Sequence, residues 1–93
     1  MAMEPIALTS PGNLPATTKY RYLKSVFLTE NAATPAEAKI EFRDGGAGGQ
    51  VFLLLKFAAN QTHAYSFDRP LYFPNGLYVN LPTGVVVGGL DAD

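Results

Sequence analysis

Residues 36–43 read Ala36-Glu37-Ala38-Lys39-Ile40-Glu41-Phe42-Arg43. Every odd position is charged and every even position is apolar. Successive side chains of a strand point to opposite faces, so this period-two pattern gives one wet face and one core face. A competing signal lies at its start, where Thr34-Pro35-Ala36-Glu37 offers Thr as N-cap, Pro at N1 and Glu at N3. A helix from Pro35 would scatter Ile40 and Phe42 away from Ala36 and Ala38. The strand accounts for every residue; a helical turn is the alternative.

Upstream of this run, Tyr22 to Glu30 reads as a strand and Asn31 to Pro35 as a turn. Beyond the alternating strand, Asp44-Gly45-Gly46-Ala47-Gly48-Gly49 is a loop. Val51 to Phe57 is apolar except for Lys56, as expected of a strand buried on both faces or lying at an interface. Thr62 to Phe67 and the short Leu71 to Phe73 follow, then the tight turn Pro74-Asn75-Gly76, where Asn-Gly supplies positive φ at little cost. Leu77 to Leu81 and Val85 to Val87 complete the set. About seven or eight short strands, with turn signals about every ten residues, indicate an all-β fold: a single antiparallel β-sandwich or small barrel.

Residues 1–19 read as an extended, proline-rich N-terminal arm preceding a sandwich domain over residues 20–93. Pro5, Pro11 and Pro15, with Ser10, Gly12 and Asn13, oppose a helix. Ile6-Ala7-Leu8 suits a short edge strand. Such an arm is expected to lie on a neighbour, the alternative being a partly disordered leader.

At 93 residues the chain is one small domain, yet 47% of it is hydrophobic and it contains no cysteine. Disulfides and cysteine-based zinc sites are therefore excluded, and stability recovered through a multimer or a partner surface is expected. The net charge is −1, with seven scattered basic residues. Nucleic-acid binding requires clustered Lys and Arg, so no nucleic-acid partner is expected. No basic region followed by an apolar stretch opens the chain, and no apolar run approaches a membrane span. A soluble protein made in the cytosol, with no membrane partner, is the expectation.

The candidate sites are few. His63, the one histidine, alternates with Tyr65 and Phe67 but has no local carboxylate or nucleophile, so a structural or interface role is expected. Asp44, Asp68, Asp91 and Asp93 match no calcium loop; Asp44-Gly45 reads as a turn, and the last two as a solvated tail. The glycines at 45, 46, 48 and 49 lead into a strand, so they form a hairpin loop and cradle no phosphate. Asn60-Gln61-Thr62 is a formal glycosylation sequon read as chance. Tyr20, Tyr22, Tyr65, Tyr72 and Tyr78 are the most suggestive set, able to form an aromatic platform for sugars or for a protein. No catalytic, cofactor-binding or metal-ligating residue is assigned, and no cofactor and no enzyme activity are expected.

Particular motifs carry a resemblance. Phe42-Arg43-Asp44-Gly45 ends one strand, and Val51-Phe52-Leu53-Leu54-Leu55 forms the next. Ala58-Ala59-Asn60-Gln61-Thr62, Phe67, Tyr72-Phe73-Pro74-Asn75-Gly76-Leu77-Tyr78-Val79 and Thr83-Gly84-Val85-Val86-Val87 follow. From Tyr22 to Leu90 the chain resembles small β-sandwich structural proteins of tailed bacteriophages, capsid decoration (cement) or head–tail accessory proteins. These motifs are turn and core signals, and the N-terminal arm lies outside them. The resemblance implies a non-enzymatic bacteriophage virion protein, synthesised in the host cytoplasm, that binds the major capsid protein or other virion proteins. A homo-oligomer, with a trimer favoured, follows as an expectation. The alternatives are a neck or tail accessory protein in low copy number and a carbohydrate-binding module. On this reading, removing Met1 to Pro15 is expected to weaken attachment and leave the sandwich folded.

Overall fold

The computed structural model describes residues 4–14 and 18–93. They contain β1 (Glu4–Thr9), β2 (Gly12–Leu14), β3 (Tyr22–Glu30), β4 (Ala38–Asp44), β5 (Val51–Phe57), β6 (Thr62–Tyr72), β7 (Leu77–Thr83) and β8 (Val85–Ala92). Two four-stranded antiparallel sheets, ordered β1-β8-β3-β6 and β2-β7-β4-β5, pack together.

The alternating segment forms β4 and lies inside the second sheet, between β7 and β5. Ala38, Ile40 and Phe42 are buried, while Lys39, Glu41 and Arg43 face outward. The strand starts at Ala38, two residues later than its pattern begins. Thr83 is the last β7 partner, opposite Lys39, and beyond it the chain leaves this sheet, so Ala36 and Glu37 have no strand to pair with on that side. No helical turn forms at Thr34–Glu37. From the first sheet, Leu23, Val26, Leu28, Val86 and Leu90 complete one core with Phe73, Leu77, Val79 and Leu81.

Three expectations need correction. The first concerns the N-terminal arm. Where described, that region is built into both sheets: β1 pairs with β8 and β2 with β7. Ile6 and Leu8 belong to the core. Proline is tolerated on edge strands, which need no donor on their outer side, and both β1 and β2 are edges. Removing Met1 to Pro15 would strip Ile6 and Leu8 from the core, so the expectation that the sandwich stays folded without this segment is replaced by an expected loss of stability. Met1 to Met3 and residues 15–17 lie outside the described residues.

The second concerns Thr62–Phe67 and Leu71–Phe73, which are not separate strands. They fuse into β6, whose register against β3 shifts between Ser66 and Leu71, where Asp68-Arg69-Pro70 interrupts the pairing. The third concerns β5: burial on both faces, one of its two alternatives, does not occur. β5 is an edge strand, with Leu55 and Phe57 in the core and Phe52 and Leu54 exposed.

The chain changes sheets at Gly84, between β7 and β8, and again between β1 and β2 around the cis Ser10–Pro11 bond. Gly84 has φ +92°, and a Cβ there would lie 2.5 Å from the Ala38 Cβ. Only glycine turns this corner without strain. The Asn75-Gly76 turn follows its sequence signal, with Gly76 at φ +105°.

Candidate interaction surface

Register partners share a sheet face, so the pairings define what each sheet presents outward. In the first sheet, Ile6, Leu8, Val26, Leu28 and Leu90 point inward. The alternate positions form cross-strand rows on the outside. One row is Pro5, Gly89, Phe27 and Ala64, and the next is Ala7, Val87, Thr29 and Thr62. Neither row contains a charge. Phe27 stands among small neighbours and stays 46% exposed. Thr29 and Thr62 satisfy each other, hydroxyl to hydroxyl, at 2.8 Å.

Toward one end of this face Asp91 is opposite Ser25. Its Oδ1 is buried and has no hydrogen-bond partner among the described residues. Tyr22 and Tyr72 pair beyond it, their rings stacked 5.1 Å apart and about half exposed. Lys24 reaches Asp93 at 3.4 Å, an exposed pair of little energetic weight.

The outer face of the second sheet has the opposite character. Lys39, Glu41, Arg43 and Lys56 face out with Tyr78, Asn80 and Leu54. Glu41 Oε1 accepts from Asn80 Nδ2 and from Arg43 Nε, each at 3.0 Å. Arg43 also donates to the Gly49 carbonyl at 2.9 Å. The Asn80 hydrogen bond, followed by the Arg43 bond and charge, holds the Glu41 carboxyl below its ordinary value of 4.5, against the opposing effect of burial. These contacts tie β4 to β7 and anchor the glycine loop. Their chemistry is structural.

The tyrosines do not form one platform. Tyr22 and Tyr72 stack on the first sheet, and Tyr78 is opposite Arg43 on the second. Tyr20 packs against the core beneath Lys19, whose Nζ is 5.0 Å from the ring centroid. Tyr65 joins His63 at the side of the sandwich where β5 and β6 run as edges. There His63 Nε2 meets the Lys56 carbonyl at 2.7 Å. A carbonyl can only accept, so Nε2 carries a proton; in the neutral ring Nδ1 is then the acceptor for the Tyr65 hydroxyl, 3.3 Å away. The imidazole also packs edge-on to Phe57 and stacks on Tyr65. His63 thus links the two sheets.

The acids are dispersed. Asp44 accepts from the Asn75 backbone and side-chain amides at 2.8 and 3.0 Å, joining two turns. Asp68 is exposed. Among the described residues no group of three metal-ligating side chains forms, and no helix is long and apolar enough to cross a membrane. Asn60 is a turn residue with φ +63°.

Glu30 went unnoticed in the sequence. It is 2% exposed at the end of β3, where its Oε1 accepts from the Asn60 amide and its Oε2 from the Ala32 amide, both at 2.8 Å. Those bonds, Asn60 first, then Ala32, with a smaller one from Ala36, hold its carboxyl below 4.5 although burial opposes them. The available signal was its phase: Val26, Leu28 and Glu30 share the inward face.

Comparison of the chain with protein-family models, with curated proteins and with solved structures returned no match.

Proposed function

We propose that this chain is a non-enzymatic structural protein of a bacteriophage virion, a capsid decoration or cement protein. On this reading it is made in the host cytoplasm and binds the assembled shell as a homo-oligomer, with three copies favoured. The observation that carries the reading is the pair of uncharged cross-strand rows on the outer face of the first sheet, which contain a half-exposed Phe27. Contiguous apolar surface without charge is what a protein–protein contact desolvates most cheaply. The resemblance between Tyr22 and Leu90 supplies the virion context.

The energetics fit many weak contacts. Phenylalanine carries roughly 200 Å² of surface. Covering the 46% of it that Phe27 leaves open yields about 2 kcal/mol at ~25 cal/mol per Å². That is about thirtyfold in affinity per copy, and attachment through several linked copies multiplies it.

The test adds purified protein to particles stripped of it. Phe27→Lys should keep the wild-type fold, because the side chain lies on an outer face, and lose at least about thirtyfold in particle affinity. Full-affinity binding by the variant contradicts this face as the contact. The same surface in low copy number would serve a neck or tail position. A carbohydrate-binding reading finds support in the stacked Tyr22–Tyr72 pair; it predicts glycan binding that Tyr72→Ala abolishes.

A further inference from the structure

At one end of the second sheet, Thr83 of β7, Lys39 of β4 and Lys56 of β5 form a single outward row of direct register partners. Like charges placed opposite each other on antiparallel strands destabilise the pairing. Among the described residues no direct ion pair relieves the two ammoniums. Glu41, in the next row, is turned to Asn80 and Arg43, and Lys39 has only the weakest of the effects that act on it. Among the described residues the ion pairs are Lys24–Asp93 and Arg43–Glu41, so neither lysine has one. The two lysines line a shallow cavity of about 250 Å³ together with Thr83, Glu37, Ala38 and Phe57. Glu37 is exposed and makes no ion pair with either.

We infer that this cavity is an oxyanion site. A phosphate or carboxylate group would sit between the Lys39 and Lys56 ammoniums, with the Thr83 hydroxyl as a neutral donor. The anion converts a repulsive cross-strand pair into two attractive contacts, so the arrangement that costs stability when empty becomes favourable when filled. The cavity is shallow and open to solvent, so an anionic group, whether a small anion or the tip of an acidic side chain, reaches both ammoniums from outside. The site lies on the sheet opposite the proposed shell contact and does not depend on it.

The test is an amide-resolved NMR titration of the full chain with sodium phosphate and, separately, sodium acetate, against sodium chloride at matched ionic strength. The expected result is saturating shifts centred on the Lys39, Lys56 and Thr83 amides. Lys39→Gln and Lys56→Gln should each weaken binding about tenfold or more, the usual loss for a charged hydrogen bond. Lys39→Arg should retain it, which separates ligand binding from a structural effect. Stronger binding of phosphate assigns the site to a free phosphate, and stronger binding of acetate assigns it to a partner's carboxylate. Shifts that merely follow chloride, or that persist unchanged in the Lys39→Gln/Lys56→Gln double variant, overturn the inference.

Discussion

Ser10 and Gly84 bond to each other twice at the corner where the chain crosses between sheets. The Ser10 amide donates to the Gly84 carbonyl at 2.9 Å, and the Gly84 amide donates to Ser10 Oγ at 3.2 Å. On one side of this clasp β1 pairs with β8, and on the other β2 pairs with β7. The first and last parts of the described chain therefore bend together, as one two-stranded ribbon, over the rim of the sandwich.

Gly84→Ala tests this corner. The new Cβ would sit at φ +92°, 2.5 Å from the Ala38 Cβ and 2.9 Å from the Glu37 carbonyl oxygen. A non-glycine residue forced into such a conformation costs about 1–3 kcal/mol, and the overlap adds to it. A urea melt should show a loss of at least about 2 kcal/mol. A midpoint unchanged from wild type would mean the corner can relax.

Deleting residues 1–14 should abolish cooperative folding. The deletion removes two edge strands and the buried side chains Ile6 and Leu8. Truncating a single buried Ile or Leu to Ala already costs about 2–5 kcal/mol, against a total of about 5–15 kcal/mol for a whole domain. Circular dichroism should show no cooperative thermal transition. A sharp transition near the wild-type temperature would return the N-terminal segment to the role of a dispensable arm.

Glu30 sets an acid limit on stability. Its folded carboxyl lies below 4.5 because the Asn60 and Ala32 amides bind the anion. A lowered folded value stabilises the protein above the unfolded value, and that stabilisation is lost as pH falls below 4.5 toward the folded value. Glu41 acts in the same direction. Glu30→Gln should lower stability at neutral pH and flatten the decline below 4.5. Urea midpoints for both proteins across that range decide it. An acid decline as steep in the variant as in wild type would remove Glu30 from the account.

How far the sequence could be read depended on the range of the interactions. The period-two run at 36–43 and the Asn75-Gly76 turn are local signals; the first became a strand, starting two residues late at Ala38, and the second a turn in place. Glu30 was hidden because its partners, Asn60 above all, are distant in sequence and become neighbours only when β3 pairs with β6. The prolines at 5 and 11 spoke against a helix and Ile6-Ala7-Leu8 for a short edge strand, but that this strand belongs to the core sheets is a property of the whole fold. The tyrosines counted as one group in the sequence, but register sends them to separate faces. Phe27 carried no signal of its own. Its exposure follows from having Gly89 on one side and Ala64 on the other.

Lys56→Glu should stabilise the empty protein. It places a carboxylate opposite Lys39, exchanging a repulsive cross-strand pair for an attractive one. The expected gain is about 0.5–1 kcal/mol at low ionic strength, a rise of a few degrees in Tm that shrinks with added salt. A fall in Tm would indicate that the two ammoniums already avoid each other.

A binding component of a virus particle is present there at a copy number set by the shell it binds. Quantitative mass spectrometry of particles purified from the source would give the amount of this chain relative to the major shell protein. The expected ratio is near one or a simple fraction of it, as for a protein spread over the lattice. Complete absence from the particles would contradict it.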